Sequence, residues 1–344
     1  MAKLLTEIQE QPKVLDRLLN HFQSTQIKDI FLGKKVFLFG TGASLNACLQ
    51  AKYAFLKFAR INAVVVPAFE AAYYMQIMDQ NCMVIVVSQS GESYETKVIC
   101  DKLMEKEIPF MAITNNPDSY LGKNATYCFN LMAGEELGTA TKTQTASVML
   151  LYLLSGLRDM EVSRQLTGLK DAMEKTIVMT ESYKKELADF IGESKVLYIT
   201  GVDVHASTAQ QASLMLKEKV WLNVEGTSIA EFRHGPVEVL EENIPVILIG
   251  HGEEKIKTML LHANFLSKVC HAKVALVTNR HERELDGYVN YPYAWDGDEE
   301  LSHICATLPF QLLAETMAGE RNYDIDGFKY IGKILNQYEK PINQ

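Results

Sequence analysis

Val84-Ile-Val-Val-Ser88-Gln-Ser90-Gly-Glu-Ser93-Tyr-Glu-Thr96 is the stretch on which the fold turns. An apolar run ends abruptly in small hydroxyl and amide residues, and a helical pattern follows. The pattern predicts a buried strand over Met83–Val87, a tight turn through Gly91 and a helix beginning near Ser93. The first turn of a helix has unsatisfied N–H groups and a partial positive charge, so it suits an anion. Ser88, Ser90 and Ser93 add hydroxyl donors, Gln89 adds an amide, and Gly91 permits close backbone approach. No Lys or Arg interrupts the segment before Lys97. A phosphate held by hydroxyls and backbone amides fits such a turn. An ordinary strand-to-helix connection with a serine cap fits the same residues.

On either side, strand and helix signals alternate. Residues 4–30 read as an amphipathic helix and Lys35–Phe39 as a strand. Gly40-Thr-Gly-Ala-Ser44 then opens a helix reaching about Arg60. Ile61–Pro67 reads as strand and Glu70–Met78 as helix. The Met83 strand and the Ser93–Lys106 helix follow, then a strand at Phe110–Thr114, a turn at 115–118, a strand at Thr126–Met132 and a helix over Thr143–Leu157. Strands alternating with helices imply a parallel sheet covered on both faces. Residues 161–192 are helical and highly charged, and read as linker helices.

The first pattern then returns. Lys195-Val-Leu-Tyr-Ile-Thr-Gly201 echoes Lys35-Val-Phe-Leu-Phe-Gly40, Val246-Ile-Leu-Ile-Gly250 echoes Val84–Ser88, and Ala275-Leu-Val-Thr-Asn279 echoes Met111–Asn115. Three matches in one order predict two copies of one α/β unit. The expected layout is an N-terminal helix over 1–30, a first domain over 31–160, linker helices over 161–192, a second domain over 193–334 and a tail over 335–344. In the second copy the serine turn is replaced by Gly250-His-Gly-Glu253, so the hydroxyls are a property of the first copy rather than of the turn. Gly40-Thr-Gly42 falls short of a dinucleotide fingerprint, because Leu45 stands where a small residue belongs and no acidic residue ends the second strand. Ser44 instead reads as one more hydroxyl facing the shared anion.

A second cluster runs through Leu214-Met-Leu-Lys-Glu218-Lys219 and Glu231-Phe-Arg-His234-Gly-Pro236. Glu218 lies beside the apolar Leu214, Met215 and Leu222, where a carboxylate is suited to proton transfer. Gly235 and Pro236 enforce a turn that presents His234 rather than burying it. Glu225 and Glu231 are further carboxylates nearby. A solvated helix glutamate and a loop histidine are the plain alternative. HExxH, zinc-ligand spacing and a GxSxG elbow are all missing, so neither metal hydrolysis nor serine-esterase chemistry is indicated. No cofactor and no metal are expected.

The whole chain sets outer bounds. Its 344 residues suit two domains, and the 47% hydrophobic and 22% charged fractions are ordinary for a soluble globular protein. With 43 acidic against 34 basic residues, the net charge of −9 argues against nucleic acid or an anionic membrane as main partner. Six scattered cysteines without a CxxC pair read as buried thiols of a reducing compartment. The N-terminus lacks a signal-peptide core and no apolar stretch is long enough to span a bilayer, so a cytoplasmic location is expected.

Taken together, the serine turn and the His-Gly-Pro turn on a duplicated α/β unit resemble the sugar isomerase (SIS) domain family, most closely the isomerase half of the glutamine–fructose-6-phosphate amidotransferases. The similarity covers about residues 35–335. It includes Gly42-Ala-Ser44, Ser88–Ser93, Ala133–Gly138 with Thr141-Lys142, Leu216-Lys-Glu218, Glu231–Pro236 and Asp324-Ile-Asp326 ahead of Lys333. The resemblance implies two tandem SIS domains, each a flavodoxin-like three-layer sandwich. It implies that Ser44, Ser88, Gln89, Ser90 and Ser93, with Thr141, bind a sugar phosphate. Glu218 would shuttle a proton between C1 and C2, and His234 would assist ring opening from the neighbouring subunit of a homodimer. Lys333 would close over the sugar and could form an imine. The family's glutaminase domain has no counterpart here, so glutamine hydrolysis is not expected. Met215 stands where the family has a lysine, and Gly138–Lys142 is one residue short of its sugar-binding loop. The activity implied is interconversion of a ketose 6-phosphate and an aminosugar 6-phosphate with free ammonia. A fructosamine-6-phosphate deglycase and a non-catalytic sugar-phosphate sensor are the alternatives.

Overall fold

The computed structural model describes residues 3–23, 34–156, 160–330 and 332–334. The expected extension of the first helix to residue 30 and the tail over 335–344 lie outside the described residues. The chain divides into two compact units. One contains 10–167 and the segment from 327 onward; the other contains 1–9 and 168–326. Both α1 (Lys3–Gln23) and α7 (Met160–Ile191) are divided between the units. The expected linker is thus one continuous 32-residue helix. Lys333, expected in the second domain, belongs to the unit of the first sheet.

The first unit is built on five parallel strands: β1 (Lys35–Gly40), β2 (Val64–Pro67), β3 (Cys82–Val87), β4 (Phe110–Thr114) and β5 (Tyr127–Asn130), in the order β2-β1-β3-β4-β5. Every residue of β3 is buried, as a central strand covered on both faces requires. Phe37, Val84 and Val86 pack with Ile99, Leu103 and Phe110 in one core. The crossovers are α2 (Ala43–Ala54, continued by a π turn over Phe55–Ala59), the short α3 (Ala71–Tyr74), α4 (Tyr94–Glu105), α5 (Tyr120–Asn124) and α6 (Lys142–Ser155). The predicted Glu70–Met78 helix is shorter than its pattern suggested. It begins as a 3-10 turn at Ala68–Glu70, and Phe69, Tyr73 and Ile77 are exposed.

The second unit repeats the plan. Strands β6 (Val196–Gly201), β7 (Asn223–Ser228), β8 (Pro245–Gly250) and β9 (Lys273–Thr278) run parallel in the order β7-β6-β8-β9. The place of a fifth strand is kept by residues 290–293: Asn290 bridges Leu276 in parallel, and Tyr291 and Tyr293 donate N–H to Leu276 and Thr278. A small antiparallel pair, β10 (Glu284–Leu285) and β11 (Tyr288–Val289), stands between. Helices α8 (Ala206–Val220), α9 (Ile229–Phe232), α10 (Glu253–Lys268) and α11 (His303–Glu320) complete the layers.

One detail ties the copies together. A Cβ on Gly40 would fall 2.6 Å from Leu45 N, and one on Gly201 would fall 2.5 Å from Ala206 N. In both copies the first strand ends on a glycine because the start of the next helix lies against its backbone. Among the described residues no helix is long and apolar enough to cross a membrane.

Candidate functional site

In an order 2-1-3, the connections leaving β1 and β3 depart in opposite directions and open a crevice at the carboxyl ends of those strands. The first unit places both of its hydroxyl-rich turns there. Ser44 sits in the first turn of α2 and is half-buried, following Gly42 at φ 56°. Ser88 to Ser93 lead from β3 into α4, with Ser88 buried and Gln89, Ser90 and Ser93 half-buried. Ser93 is the N-cap residue of α4, yet its hydroxyl bonds Thr96 Oγ1 at 2.7 Å instead of capping the helix. Gly42, which precedes α2, has no side chain with which to cap. Two helix N-termini therefore flank one crevice without side-chain caps, which is what an anion needs.

The turn is held from beneath. Ser88 Oγ accepts from Gly91 N at 3.2 Å and Ser90 Oγ accepts from Glu92 N at 3.2 Å. Gly91 has φ +65°, and a Cβ there would lie 2.6 Å from Ser119 Cβ. Glu92, the one acid in the turn, accepts from Tyr120 N at 2.7 Å and pairs with Lys97 at 2.9 Å. Those two partners hold its carboxyl below the usual range. Lys97 is thereby engaged, and the turn presents hydroxyls and amides.

Two residues that carry this edge, Asn115 and Glu136, had no role in the sequence reading. Asn115 follows β4 and looked like a turn residue. Its backbone N–H reaches Gln89 O at 3.0 Å, its Nδ2 reaches Gly134 O at 2.7 Å, and its Oδ1 accepts from Ala133 N at 3.1 Å. It laces the serine turn to the loop after β5. In that loop Glu136 Oε1 accepts from Thr141 N at 2.9 Å, Thr141 Oγ1 at 3.1 Å and Thr143 N at 3.1 Å. Its Oε2 takes Thr143 Oγ1 at 2.5 Å and Lys333 Nζ at 2.9 Å. The available signal was one acid followed at five and seven residues by threonines, ahead of an apolar helix. Thr141, fully buried, is therefore tied to Glu136 through both its amide and its hydroxyl. Ser44, the serine turn, Thr141 and Lys333 all belong to one unit.

Glu218 and His234 sit in the other unit, at opposite ends of its edge strand β7. Glu218, half-buried, lies in the last turn of α8, which leads through Trp221 and Leu222 into the start of β7. His234, exposed as expected, lies in the turn after α9, beyond the end of β7. Six strand residues separate those ends by roughly 20 Å. The two groups therefore do not meet within one unit. Of the expected apolar partners of Glu218, Met215 and Leu222 are buried and Leu214 is half-buried. Next to Glu218, Lys219 is 1% exposed, and burial pulls its ammonium down against the charges of Glu218, Asp324, Asp326 and Glu7. Asp326 accepts from Leu4 N at 3.1 Å, Arg321 donates to Val220 O at 3.2 Å, and Tyr323 stacks on Trp221 at 3.9 Å. Arg321 and Tyr323 thus secure the end of α8, while Asp326 holds the start of α1. Glu225 and Glu231 are exposed.

The equivalent crevice of the second unit is built from different chemistry. His251 bonds Tyr293 OH through Nδ1 and Gly297 O through Nε2, each at 3.0 Å. Thr208 Oγ1 joins His205 Nδ1 at 3.2 Å to His303 Nδ1 at 2.8 Å. Burial depresses the pKa of all three imidazoles, that of His303 to about 3. Glu253 and Glu254 occupy the first turn of α10, and Asp203 pairs with Lys255. Acids at that helix start oppose an anion, so only the first copy keeps the cradle.

Residues 30–155 match the family model for the SIS domain. This segment, which holds the first sheet and its serine turn, is thus a SIS domain, and the second unit repeats its strand order. It is 28% identical to glutamine–fructose-6-phosphate aminotransferase (isomerizing) of Oceanobacillus iheyensis, over 96% of this chain and 58% of that protein. It is 29% identical to the enzyme of the same name from Pyrobaculum aerophilum, over 96% of this chain and 57% of that protein. The chain thus spans somewhat more than half the length of these relatives. Among solved structures, the C-terminal domain of glucosamine-fructose-6-phosphate aminotransferase from Francisella tularensis has the same fold. It superposes with a TM-score of 0.85 at 22% identity, over 95% of this chain and 98% of that one. Glucosamine-6-phosphate deaminase from Thermotoga maritima also shares it, with a TM-score of 0.72 at 20% identity, over 97% and 99%.

Proposed function

We propose that this SIS protein is a phosphosugar enzyme that interconverts a ketose 6-phosphate and a 2-amino-2-deoxy-aldose 6-phosphate, taking up or releasing free ammonia. The observation that carries this is the pair of helix N-termini at the β1/β3 crevice, uncapped by side chains and lined by serines. It offers donors without a fixed cation, and suits a phosphate that must arrive and leave. The relatives named glutamine–fructose-6-phosphate aminotransferase supply the substrate class.

In this reading Ser44, Ser88, Gln89, Ser90, Ser93 and Thr141 hold the phosphate and the adjoining sugar. His234 passes a proton to the ring oxygen as the sugar opens. Ammonia then replaces the C2 carbonyl oxygen, which leaves as water. Glu218 takes a proton from C1 to give an enolamine and returns it to C2, leaving an aldehyde at C1. Lys333 holds the open chain and can take the place of ammonia as the first amine. Because Glu218 and His234 stand at opposite ends of β7, a homodimer that joins His234 of one subunit to Glu218 of the other accounts for both. The buried Met215 leaves no amino group on the turn before Glu218, so Lys333 is the lysine assigned to the sugar. A cytoplasmic setting accords with the six free cysteines.

The test supplies glucosamine 6-phosphate and measures ammonia and fructose 6-phosphate, then runs the reverse with ammonium and with glutamine. Turnover with ammonium but not glutamine is expected. Release of a free amino acid and glucose 6-phosphate from a fructosamine 6-phosphate, with no ammonia from aminosugars, would show a deglycase instead. Thermal stabilisation by sugar phosphates without turnover, unchanged by Glu218→Gln, would show a sensor.

A further inference from the structure

We propose that Glu136 is the positioning residue of Lys333, and that one buried carboxylate sets the place of both the lysine and the sugar-contacting Thr141. This rests on the assignment of Lys333 and Thr141 to the sugar under the proposed function.

The geometry is specific. The Glu136 side chain has no exposed surface, and Lys333 retains 20%. Lys333 Nζ donates twice to this one residue, to its carboxylate at 2.9 Å and to its backbone carbonyl at 2.5 Å. The two residues are 197 positions apart, so the contact fixes a distant part of the chain on the loop after β5. The same carboxylate accepts four further bonds, two of them from Thr141. A carboxylate has about four lone-pair directions, so this one is saturated by donors and has little freedom to turn. Its position is imposed by the loop, and Lys333 inherits that position.

A structural ion pair alone would account for the anchoring. What it would not account for is the choice of partner. The anchored amine is a primary amine able to condense with a carbonyl, and its anchor also holds a proposed sugar contact. In condensation the amine nitrogen bonds the ketone carbon, the carbonyl oxygen leaves as water and the ammonium's extra proton passes to solvent. An ammonium has no lone pair, so the Lys333–Glu136 pair must loosen before the bond forms. Glu136 therefore holds the lysine at a set distance from the cradle until the sugar arrives.

Two measurements on the full chain test this. The first is labelling of lysines by acetic anhydride without sugar, read by mass spectrometry. In Glu136→Gln, Lys333 is expected to label roughly three- to five-fold faster than in wild type, while Lys97, paired elsewhere, is unchanged. Equal rates at Lys333 would overturn the anchor, whatever the enzyme does. The second is borohydride trapping with fructose 6-phosphate. Wild type is expected to give a sugar adduct on Lys333, and Glu136→Gln to lose about ten-fold or more in yield and in kcat, with a smaller rise in KM from the released Thr141 because the serine turn is untouched. An undiminished adduct in the variant overturns the positioning role. Absence of an adduct in wild type, with the labelling difference present, overturns the imine role of Lys333 and leaves Glu136 a purely structural anchor. Should Glu136→Gln fail to fold, Thr143→Val loosens the same Oε2 and is expected to move both readouts in the same direction by a smaller factor.

Discussion

Gly91 and Ser119 occupy one space. The carbonyl of Gly91 accepts the N–H of Leu121 at 3.1 Å, and Ser119, which caps α5 by accepting from Gly122 N at 3.2 Å, lies where a Gly91 side chain would begin. The serine turn is thus locked to the helix after β4 by the absence of one methyl group. Gly91→Ala combines a left-handed backbone with overpacking against Ser119. It is expected to cost about 2–4 kcal/mol in unfolding free energy and to abolish sugar-phosphate binding. An alanine variant with wild-type stability and binding would show that the turn is not so constrained.

Acid should destabilise the second unit above the range where carboxylates titrate. His205, His251 and His303 are buried and neutral in the folded chain, and His262 is pulled down to about 4 by burial and by Arg233. The unfolded chain, with ordinary imidazoles, binds these protons more readily. Stability therefore rises with pH up to the ordinary imidazole value of 6.5 and is lost as pH falls below it. His303 alone should cost on the order of 1 kcal/mol at pH 5.5 relative to neutral pH. Chemical denaturation at pH 7.5 and 5.5 checks this; equal stabilities would contradict the neutral cluster.

The thiols should react in an order set by burial. Burial pushes the thiols of Cys48, Cys100 and Cys305 up, that of Cys100 to about 12, while Cys128 is exposed on the edge strand β5. Iodoacetamide at pH 8 should label Cys128 in the native chain and spare those three until denaturant is added. Labelling of Cys48 as fast as Cys128 would contradict the packing of α2 on its sheet.

Much of this was legible because the relevant signals are local. The apolar run Val84–Val87 followed by serines announced a buried parallel strand and a polar turn, and the return of Lys-Val…Gly at 195–201 announced the second copy. The two sheets share the order 2-1-3-4, as duplication requires. What stayed hidden depends on contacts distant in sequence. Glu136 gains its meaning only from Lys333, Asn115 from Gln89 and Gly134, and Asp326 from Leu4. The position of Glu218 and His234 at opposite ends of β7 follows from strand direction, which spacing alone does not reveal.

That separation predicts complementation. If each site takes Glu218 from one subunit and His234 from the other, Glu218→Gln and His234→Asn are each inactive alone. Mixed by co-expression or subunit exchange, they should restore roughly a quarter of wild-type turnover, since half the dimers are hybrids with one intact site. No recovery in verified hybrids would place both groups in the same subunit's site.

The central claim is that the serines of the first unit grip a phosphate. Titration calorimetry of fructose 6-phosphate and of fructose, on wild type and on Ser90→Ala, tests it most directly. Fructose 6-phosphate should bind wild type, fructose should not bind detectably, and Ser90→Ala should weaken the phosphate ester by about ten-fold, as loss of a hydrogen bond to a charged group does. Equal affinity for the sugar with and without its phosphate, or an unchanged affinity in Ser90→Ala, would contradict it.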